Sequence, residues 1–469
     1  MKWLPLVTSA LLCSRAATTF AAPTAVPATD PPNIVFILAD DLGYGDLGCY
    51  GQKRIRTPEL DRMAREGMRW TQFYAGSTVC APSRCVLMTG QHTGHCYIRG
   101  NARHDLRPQD RTVAEVLRQR GYVTGLIGKW GLGGFDAGTG HPNRKGFDFF
   151  FGYLDQVHAH NYYPSFLVRQ SETIRLPNEV PNEGRWGQGV ATRRLAYSHD
   201  LFTQEALAFI ERHRNRPFFL YLAYTIPHAN NEAGSHGMEV PDLGAYARTD
   251  WPEQEKAFAA MVTRLDRDVG RLRAKLQELD LDRRTVLFFS SDNGPHREGG
   301  HDPNFFQSSG GLRGIKRDLY EGGIRVPLIV CWPGHVPAGV VCPTLGWFAD
   351  FLPTAAELAG APVSHPVDGI SLVPTLLGQP GQKERAAPLY WEFYEGTTAQ
   401  ALRLGNYKAV CRPMWGAIEL YDLSRDSAEK HDIAQEHPQL VQRLRDLMRQ
   451  AHEPSPLDWR PRRAVPARR

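Results

Sequence analysis

Four continuous apolar runs of strand length punctuate the first 300 residues, and each ends abruptly at polar residues. The runs span residues 33–39, 122–128, 218–226 and 285–291. Stretches with helical spacing of apolar residues separate them, at 60–67, 113–120, 199–212 and 251–279. Strands that alternate with helices indicate a parallel sheet, and strands that are apolar on both faces indicate helices on both sides. The pattern therefore predicts an α/β fold with a large, mainly parallel sheet covered by helices.

The polar residues that follow these runs are Asp40 and Asp41, Lys129, His228, and Asp292 with Asn293. Each of them alone could be a turn cap, a loop residue or a surface charge. In open α/β sheets, however, the carboxyl ends of the parallel strands meet at one edge, where ligands bind. We therefore expect these side chains to converge on one site.

The pattern of apolar and polar residues changes after residue 293. Residues 294–323 form a long polar, glycine-rich stretch, and loops of this length in compact domains are usually functional. A strand-like run at 324–332 and a helical stretch at 345–358 follow. From about residue 386, short β runs at 389–394, 401–410 and 418–423 precede a helical stretch at 438–452. This order predicts a small C-terminal antiparallel sheet with one helix.

The ends of the chain indicate export. Residues 1–22 resemble a secretory signal peptide, with Lys2 before an apolar run and small residues at the end. The run is short for a membrane span, so we expect no transmembrane helix. The predicted division is a signal peptide at 1–22, a linker at 23–31, a catalytic domain at 32–385, a C-terminal subdomain at 386–455 and a basic tail at 456–469.

Composition adds few constraints. The chain has 469 residues, is 42% hydrophobic and carries a formal net charge of +5, so it is an ordinary globular protein. The mild positive charge is concentrated in the tail, which we interpret as a solvated end rather than a nucleic-acid-binding arm. Export permits disulfides. Cys331 and Cys342 are the most plausible pair because they are close in sequence, although six candidate cysteines allow many pairings.

One stretch carries the most specific signal, the segment 79–90 with a cysteine, proline, serine and arginine followed by apolar residues at helical spacing. Pro82 suits the first position of a helix, which places Cys80 just upstream of the helix N-terminus. Free backbone N–H groups and the Arg84 guanidinium would stabilise an anion there. A structural or disulfide-bonded cysteine at a helix cap is the alternative.

The acidic residues indicate a hard metal ion. Asp40, Asp41, Asp292 and Asn293 offer oxygen ligands, with no histidine and cysteine cluster of zinc spacing nearby. Such a set suits Ca²⁺ or Mg²⁺ and argues against zinc. A divalent cation would also relieve the repulsion between the neighbouring carboxylates.

The segment Cys80-Ala81-Pro82-Ser83-Arg84, followed by Leu87-Met88-Thr89-Gly90, resembles the signature of the type I sulfatases in the alkaline phosphatase superfamily. The resemblance extends from about Pro32 to about Asp432. It implies an alkaline phosphatase-like fold and a maturation enzyme that converts Cys80 to formylglycine, whose hydrate attacks sulfur.

The resemblance also implies roles for individual residues. It places a divalent ion, commonly calcium, on Asp40, Asp41, Asp292 and Asn293, shared with modified residue 80. The remaining implied roles are sulfate binding by Lys129 and Lys316, positioning of the nucleophile by Arg84, and proton donation to the leaving oxygen by His228.

One position departs from the family pattern. Many sulfatases have a histidine two residues after the first lysine, assigned to breakdown of the sulfated intermediate, whereas this chain has Gly131. Glycine cannot transfer a proton, so another histidine replaces it or that step differs. His158 and His160 are the candidates, and lining the substrate pocket is the alternative role for both.

The sequence thus predicts an exported, metal-dependent sulfatase that acts on a sulfate ester of an alcohol or phenol, with a sulfated carbohydrate as the preferred substrate class. His158, His160, His301 and Arg313 are the expected substrate contacts. A phosphodiesterase or phosphonate monoester hydrolase on the same scaffold is the nearest alternative. A non-catalytic binding protein with unmodified Cys80 is a more distant one, because the metal and lysine positions are all present.

Overall fold

The computed structural model describes residues 31–134, 138–457 and 459. The predicted signal peptide, nearly all of the linker and most of the basic tail lie outside the described residues. The catalytic region contains these strands and helices in chain order: β1 (Asn33–Ala39), α1 (Pro58–Glu66), β2 (Met68–Trp70), β3 (Phe73–Tyr74), α2 (Cys80–Thr89), α3 (Val113–Arg118), β4 (Val123–Lys129), β5 (Phe149–Tyr153), β6 (Phe166–Arg169), β7 (Glu172–Arg175), α4 (Ser198–Arg212), β8 (Phe218–Ala223), α5 (Glu253–Glu278), β9 (Thr285–Ser291), α6 (Glu321–Ile324), β10 (Leu328–Cys331), β11 (Val340–Cys342), β12 (Gly346–Trp347), α7 (Phe351–Leu358) and α8 (Val373–Leu376).

A ten-stranded sheet forms the centre of this region, in the order β11-β2-β10-β9-β1-β8-β4-β5-β6-β7. The five strands from β9 to β5 are parallel. Strands β10, β6 and β7 pair antiparallel with their neighbours. The prediction of a mainly parallel sheet is confirmed, and the antiparallel strands are additions at its two sides.

Alternate residues of β1 enter two different hydrophobic cores. Ile34, Phe36 and Leu38 pack into the core that includes residues of α2, α3 and α7. Val35 and Ile37 pack on the opposite face with residues of α1, α4 and α5. Helices therefore cover both faces of the sheet, which explains why the strand is apolar at every position from 34 to 39.

The C-terminal part contains β13 (Leu389–Phe393), β14 (Ala399–Leu404), β15 (Tyr407–Cys411), β16 (Ile418–Asp422) and α9 (Pro438–Ala451). The four strands form an antiparallel sheet in sequence order, and α9 packs on it through Leu444 and Met448. The predicted fold class is confirmed here too. The single β run predicted at 401–410 is wrong, because the chain reverses between β14 and β15 at Gly405, which has a φ of 58°.

The predicted disulfide between Cys331 and Cys342 is wrong. Both cysteines are free thiols, and β2 lies between the strands β10 and β11 that carry them. Two strand spacings separate these cysteines by roughly 9 Å or more, beyond the Cα separation of about 7 Å that a disulfide tolerates.

Among the described residues, no helix is both long and apolar enough to cross a membrane.

Candidate active site

The carboxyl ends of four adjacent strands supply most of the predicted site residues. Strand β1 lies between β9 and β8, and β4 lies beside β8. Asp40 and Asp41 follow β1, Asp292 follows β9 and Lys129 ends β4. His228 lies five residues beyond the end of β8. The structure therefore brings together residues that are distant in the chain, as the sequence pattern predicted.

Cys80 lies in this cluster at the first residue of α2. Its side chain is buried, and Sγ lies 3.3 Å from Asp40 Oδ1. Burial and the Asp40 carboxylate raise the pKa of the Cys80 thiol well above its usual value. The helix begins earlier than predicted, because Pro82 is its third residue and not its first. The backbone N–H of a third residue would also have no helical partner, so proline is tolerated there.

Arg84 connects three parts of the cluster from the first turns of α2. Its Nε and one terminal nitrogen donate to Asp292 Oδ2 over 3.0 and 2.8 Å, and the other terminal nitrogen donates to the carbonyl of Lys129. All of these groups are buried. A guanidinium with donors in a fixed plane is suited to this arrangement, which orients α2 against the ends of β9 and β4.

Two buried lysines each contact one of the paired carboxylates. Lys129 Nζ donates to Asp40 Oδ2 over 2.7 Å, and Lys316 Nζ donates to Asp41 Oδ2 over 2.8 Å. Burial alone would lower the pKa of each lysine, but the adjacent carboxylate outweighs it and raises the pKa. Burial likewise opposes ionisation of Asp40 and Asp41, yet the lysines hold both carboxyl pKa values well below their usual range. The lysines are thus fixed cations beside Cys80.

The oxygen atoms of the site fit a divalent cation. Asn293 Nδ2 donates to Asp41 Oδ1, whereas Asn293 Oδ1 is buried and has no hydrogen-bond partner in the described part of the chain. Burial and the negative charge of Asp40 raise the pKa of Asp292 to about 7. A free amide oxygen beside three buried carboxylates is the donor set that Ca²⁺ or Mg²⁺ prefers.

Metal-ligating atoms of Asp40, Asp41, Cys80 and His228 lie within 4.8 Å of one another. The cluster is therefore compact enough for a single ion.

His228 presents a neutral imidazole to Lys316. Its Nδ1 lies 2.6 Å from the carbonyl oxygen of Ala229, and Nε2 lies 3.2 Å from Lys316 Nζ. Burial and the positive charge of Lys316 lower the pKa of His228 to about 3. Nδ1 therefore donates to Ala229, Nε2 accepts from Lys316, and the mobile proton of this pair resides on the lysine.

The two histidines proposed to replace the residue missing at position 131 lie in different environments. The His160 ring stacks on the His228 ring with a centroid separation of 5.0 Å, and its Nδ1 lies 3.2 Å from Glu232. His158 is fully buried between Tyr153 and Phe166. Packed aromatic rings therefore enclose His158, and its role in substrate contact or proton transfer stays a prediction.

The other two predicted substrate contacts also have different surroundings. The buried His301 ring stacks on Phe258 at 3.8 Å, and its Nδ1 lies 2.8 Å from Glu255. Arg313 donates to the Tyr421 hydroxyl and the Glu429 carbonyl of the C-terminal subdomain. One side chain is thus held in the core and the other joins the two sheets, and their substrate contacts stay predictions.

Glu298 is a site residue that the sequence reasoning missed. Its carboxylate accepts from Lys316 over 3.0 Å and lies 3.7 Å from His228 Nε2. Burial opposes ionisation, but Lys316 holds the pKa of Glu298 well below its usual range. Its position in the long glycine-rich stretch was the available signal, because that stretch also supplies Lys316.

Comparisons with known proteins agree with this geometry. A family model described as Sulfatase matches residues 32–361, and a model described as N-sulphoglucosamine sulphohydrolase, C-terminal, matches residues 314–453. The chain is 36% identical over 407 residues to N-acetylgalactosamine-6-sulfatase of Canis lupus familiaris, covering 82% of this chain and 72% of that protein. It is 33% identical over 477 residues to arylsulfatase A of Homo sapiens, covering 89% and 87%.

Solved structures give the same result. A structure described as Ps i-CgsB in complex with k-i-k-neocarrahexaose has a TM-score of 0.75 and 27% identity, covering 90% of this chain and 93% of that chain. A Bacteroides thetaiotaomicron structure, described in connection with the metabolism of multiple glycosaminoglycans, has a TM-score of 0.74 and 27% identity, covering 90% and 99%.

Proposed function

Because the chain belongs to the sulfatase family and is a sulfuric ester hydrolase, we propose that it acts through a formylglycine formed from Cys80 and a bound divalent cation. The observation that carries this proposal is the position of Cys80: it begins α2, contacts Asp40 and lies among two buried lysines and four oxygen ligands. A buried thiol with a raised pKa is a poor nucleophile, which favours a modified residue at this position.

The proposed metal ligands are Asp40, Asp41, Asp292, Asn293 and the modified residue 80. We propose Ca²⁺ as the ion, with Mg²⁺ as the alternative, because all the protein ligands are oxygen atoms. When bound, the cation polarises an ester oxygen, and the formylglycine hydrate supplies a hydroxyl nucleophile. Arg84, held on Asp292, would fix the orientation of the helix that carries this residue.

The lysines have distinct proposed roles. Lys129 would neutralise charge on the non-bridging sulfate oxygens, since its ammonium is buried beside Asp40 and Cys80. Lys316 would share that role and hold the proton needed by the leaving oxygen. Its hydrogen bond to His228 Nε2 supports a paired donor, in which His228 relays or orients the proton supplied by the lysine.

We propose a sulfated carbohydrate as the substrate class. The support comes from the names of two similar proteins. One is an N-acetylgalactosamine-6-sulfatase, and the other is a structure solved in complex with k-i-k-neocarrahexaose. We further propose that residues 1–22 direct export, that the catalytic and C-terminal parts divide near residue 385, and that a formylglycine-generating enzyme is a transient partner.

The test is mass spectrometry of the peptide that contains residue 80, with the protein produced in a host that has the maturation enzyme. Conversion of the thiol to an aldehyde is expected, together with turnover of an aryl sulfate that is lost on chelation and restored by Ca²⁺. C80S should lower that turnover at least about 1,000-fold. The matched variant C49S, at a half-buried cysteine outside the site, should retain it.

Two results would contradict the proposal. One is unmodified Cys80 in protein that is fully active on aryl sulfate. The other is faster turnover of an aryl phosphodiester than of the aryl sulfate, which would support the phosphodiesterase alternative instead.

A further inference from the structure

A cavity of about 330 Å³ lies beside the carboxyl end of β4, and none of the residues discussed under the proposed chemistry lines it. Two of its lining residues connect it to the proposed active site. Asn101 lines the cavity and accepts a hydrogen bond from the backbone of Ala81, next to Cys80. Gly131 also lines it, two residues after Lys129. The cavity therefore adjoins both the nucleophile position and a sulfate-binding lysine.

Gly131 and Gln156 both line this cavity, and their positions depend on each other. Gly131 has a φ of 73°, and a Cβ there would lie 2.1 Å from Gln156 Nε2. The carboxamide of Gln156 thus occupies the room that a side chain at position 131 would need. Gln156 Nε2 is buried and has no hydrogen-bond partner in the ranges that the structure describes. A polar group that is buried without a partner indicates a missing ligand or water.

Two of the charged side chains that line the cavity form an ion pair with each other. Arg103 forms a two-bond ion pair with Asp155, and its guanidinium lies 3.7 Å from the centre of the Trp186 ring. The carboxylate of Asp105 accepts from the backbone N–H groups of Gly134 and Gly140. Arg103 balances the charge of Asp155, whereas none of the ion pairs found in the described ranges includes Asp105. The described lining therefore has one carboxylate without a paired cation, which would repel a ligand carboxylate.

We propose that this cavity binds the sugar ring that carries the scissile sulfate, and that the ring is a pyranose without a carboxylate. The carboxamide of Gln156 offers both a donor and an acceptor to ring hydroxyl groups. Leu154 and Trp186 provide apolar surface for the C–H groups of the ring. The volume lies at the small end of the range for ligand pockets, as one ring requires. This inference rests on the proposed sulfatase function and specifies its substrate.

The experiment compares three substrates of the mature holoenzyme: an aryl sulfate, a monosulfated neutral hexose and a monosulfated hexuronate. We expect the wild-type enzyme to favour the neutral hexose over the hexuronate at least tenfold in kcat/KM. Q156A should lower the ratio of hexose to aryl sulfate kcat/KM at least tenfold, mainly by raising KM for the hexose. Q442A, at an exposed glutamine of α9, is the matched control and should leave that ratio unchanged.

A second variant tests the pairing of positions 131 and 156. G131A should displace the Gln156 carboxamide and lower the same ratio. In the Q156A background, the added methyl group meets no carboxamide, so G131A should then change the ratio less than threefold. Thermal melting of each variant separates this effect from a loss of folding.

An unchanged ratio in Q156A, or a wild-type preference for the hexuronate, would overturn the inference. Lack of both turnover and competitive inhibition by the neutral hexose sulfate would also overturn it. Failure of the proposed function has a different signature, which is no aryl sulfate turnover by the wild type. Calorimetry would then still test the cavity, because Q156A should weaken binding of the hexose sulfate at least tenfold.

Discussion

At the residue scale, the backbone at Asp41 allows two consecutive carboxylates to serve one site. Successive side chains of an extended strand point to opposite faces. Asp41 instead has a φ of 65°, in the left-handed region that aspartate tolerates better than most residues. Asp40 can therefore contact Lys129 while Asp41 contacts Lys316 and Asn293. The end of β1 thus presents two carboxylates to one cluster, with Asp40 directed toward Lys129 and Asp41 toward Lys316.

His228, which we propose to take part in protonating the leaving group, gives the prediction at this scale. H228A should lower kcat for a sugar or alkyl sulfate about 100- to 10,000-fold, because an alkoxide leaving group needs a proton. The loss should be much smaller for an aryl sulfate with an electron-poor phenol, which leaves readily without protonation. The measurement is the slope of log kcat against leaving-group pKa for wild type and H228A.

The control for this prediction is H236A, at an exposed histidine of the following loop, which should keep the wild-type slope. Equal losses of H228A on all leaving groups would mean that His228 orients the site without taking part in proton transfer. H160A should change the slope less than H228A, since within the described residues the contact of His160 with this cluster is its stacking on the His228 ring.

At the element scale, the close pairing of β4 with β8 fixes the position of Lys129. Gly128 is opposite Ala223 in the sheet and has a φ of 107°. A Cβ at position 128 would lie 1.9 Å from the Ala223 carbonyl oxygen. Only glycine permits this approach at the strand end, so the backbone itself directs Lys129 toward Asp40.

We therefore expect G128A to destabilise the protein by roughly 3 kcal/mol or more, from steric overlap added to backbone strain. Activity per folded molecule should also fall, because Lys129 would shift. G121A is the matched control: Gly121 has a φ of 77°, but no described atom lies within 4 Å of the place that a Cβ would take there. Its cost should be only the strain of about 1–2 kcal/mol. Chemical denaturation measures both, and equal costs would refute the close-approach explanation.

Much of the element pattern could be predicted because long apolar runs have one simple interpretation. The runs at 33–39 and 285–291 coincide with β1 and β9, and their polar ends do meet. Short strands such as β2 and β3 have too few residues to show a period. The turn at Gly405 had a signal in the sequence, because Gly-Asn between two β runs is typical of a hairpin, and the single run predicted at 401–410 passed over it.

The site could be predicted where residues follow strands, and not where they lie in loops. Parallel strands bring their carboxyl ends together in any such sheet, so Asp40, Lys129 and Asp292 could be assigned. Whether a loop histidine faces the site or the core depends on tertiary packing, so the sequence pattern did not show that the rings of His158 and His301 are buried against aromatic side chains. The Gln156 position was not foreseen because its meaning depends on a glycine 25 residues earlier.

At the scale of the whole molecule, the C-terminal sheet is joined to the catalytic region through buried charges. Lys408 of β15 has its Nζ 2.9 Å from carboxylate oxygens of both Glu321 and Glu429. All three side chains are buried. Glu321 begins α6, five residues after Lys316. The C-terminal sheet thus supports the segment that supplies the second active-site lysine.

We expect K408A to destabilise the protein by about 3–5 kcal/mol, because buried Glu429 and Glu321 would both lose the Lys408 cation, although Arg325 still pairs with Glu321. K408M should be at least as stable as K408A but still well below the wild type, since methionine keeps the volume but not the charge. K430A, at an exposed lysine nearby, is the control and should change stability by less than about 0.5 kcal/mol. Thermal and chemical denaturation provide the measurements, and a K408A protein as stable as K430A would contradict the prediction.

The contacts of Arg313 have a consequence for protein engineering. Arg313 lies only three residues before Lys316. Its guanidinium lies 3.7 Å from the Tyr320 ring centre and also binds Tyr421 and Glu429 of the C-terminal subdomain. A shortened chain that stops near residue 385 would lose these anchors and with them the placement of that lysine. Chimeras between sulfatases should therefore exchange the glycine-rich stretch and the C-terminal sheet as one unit.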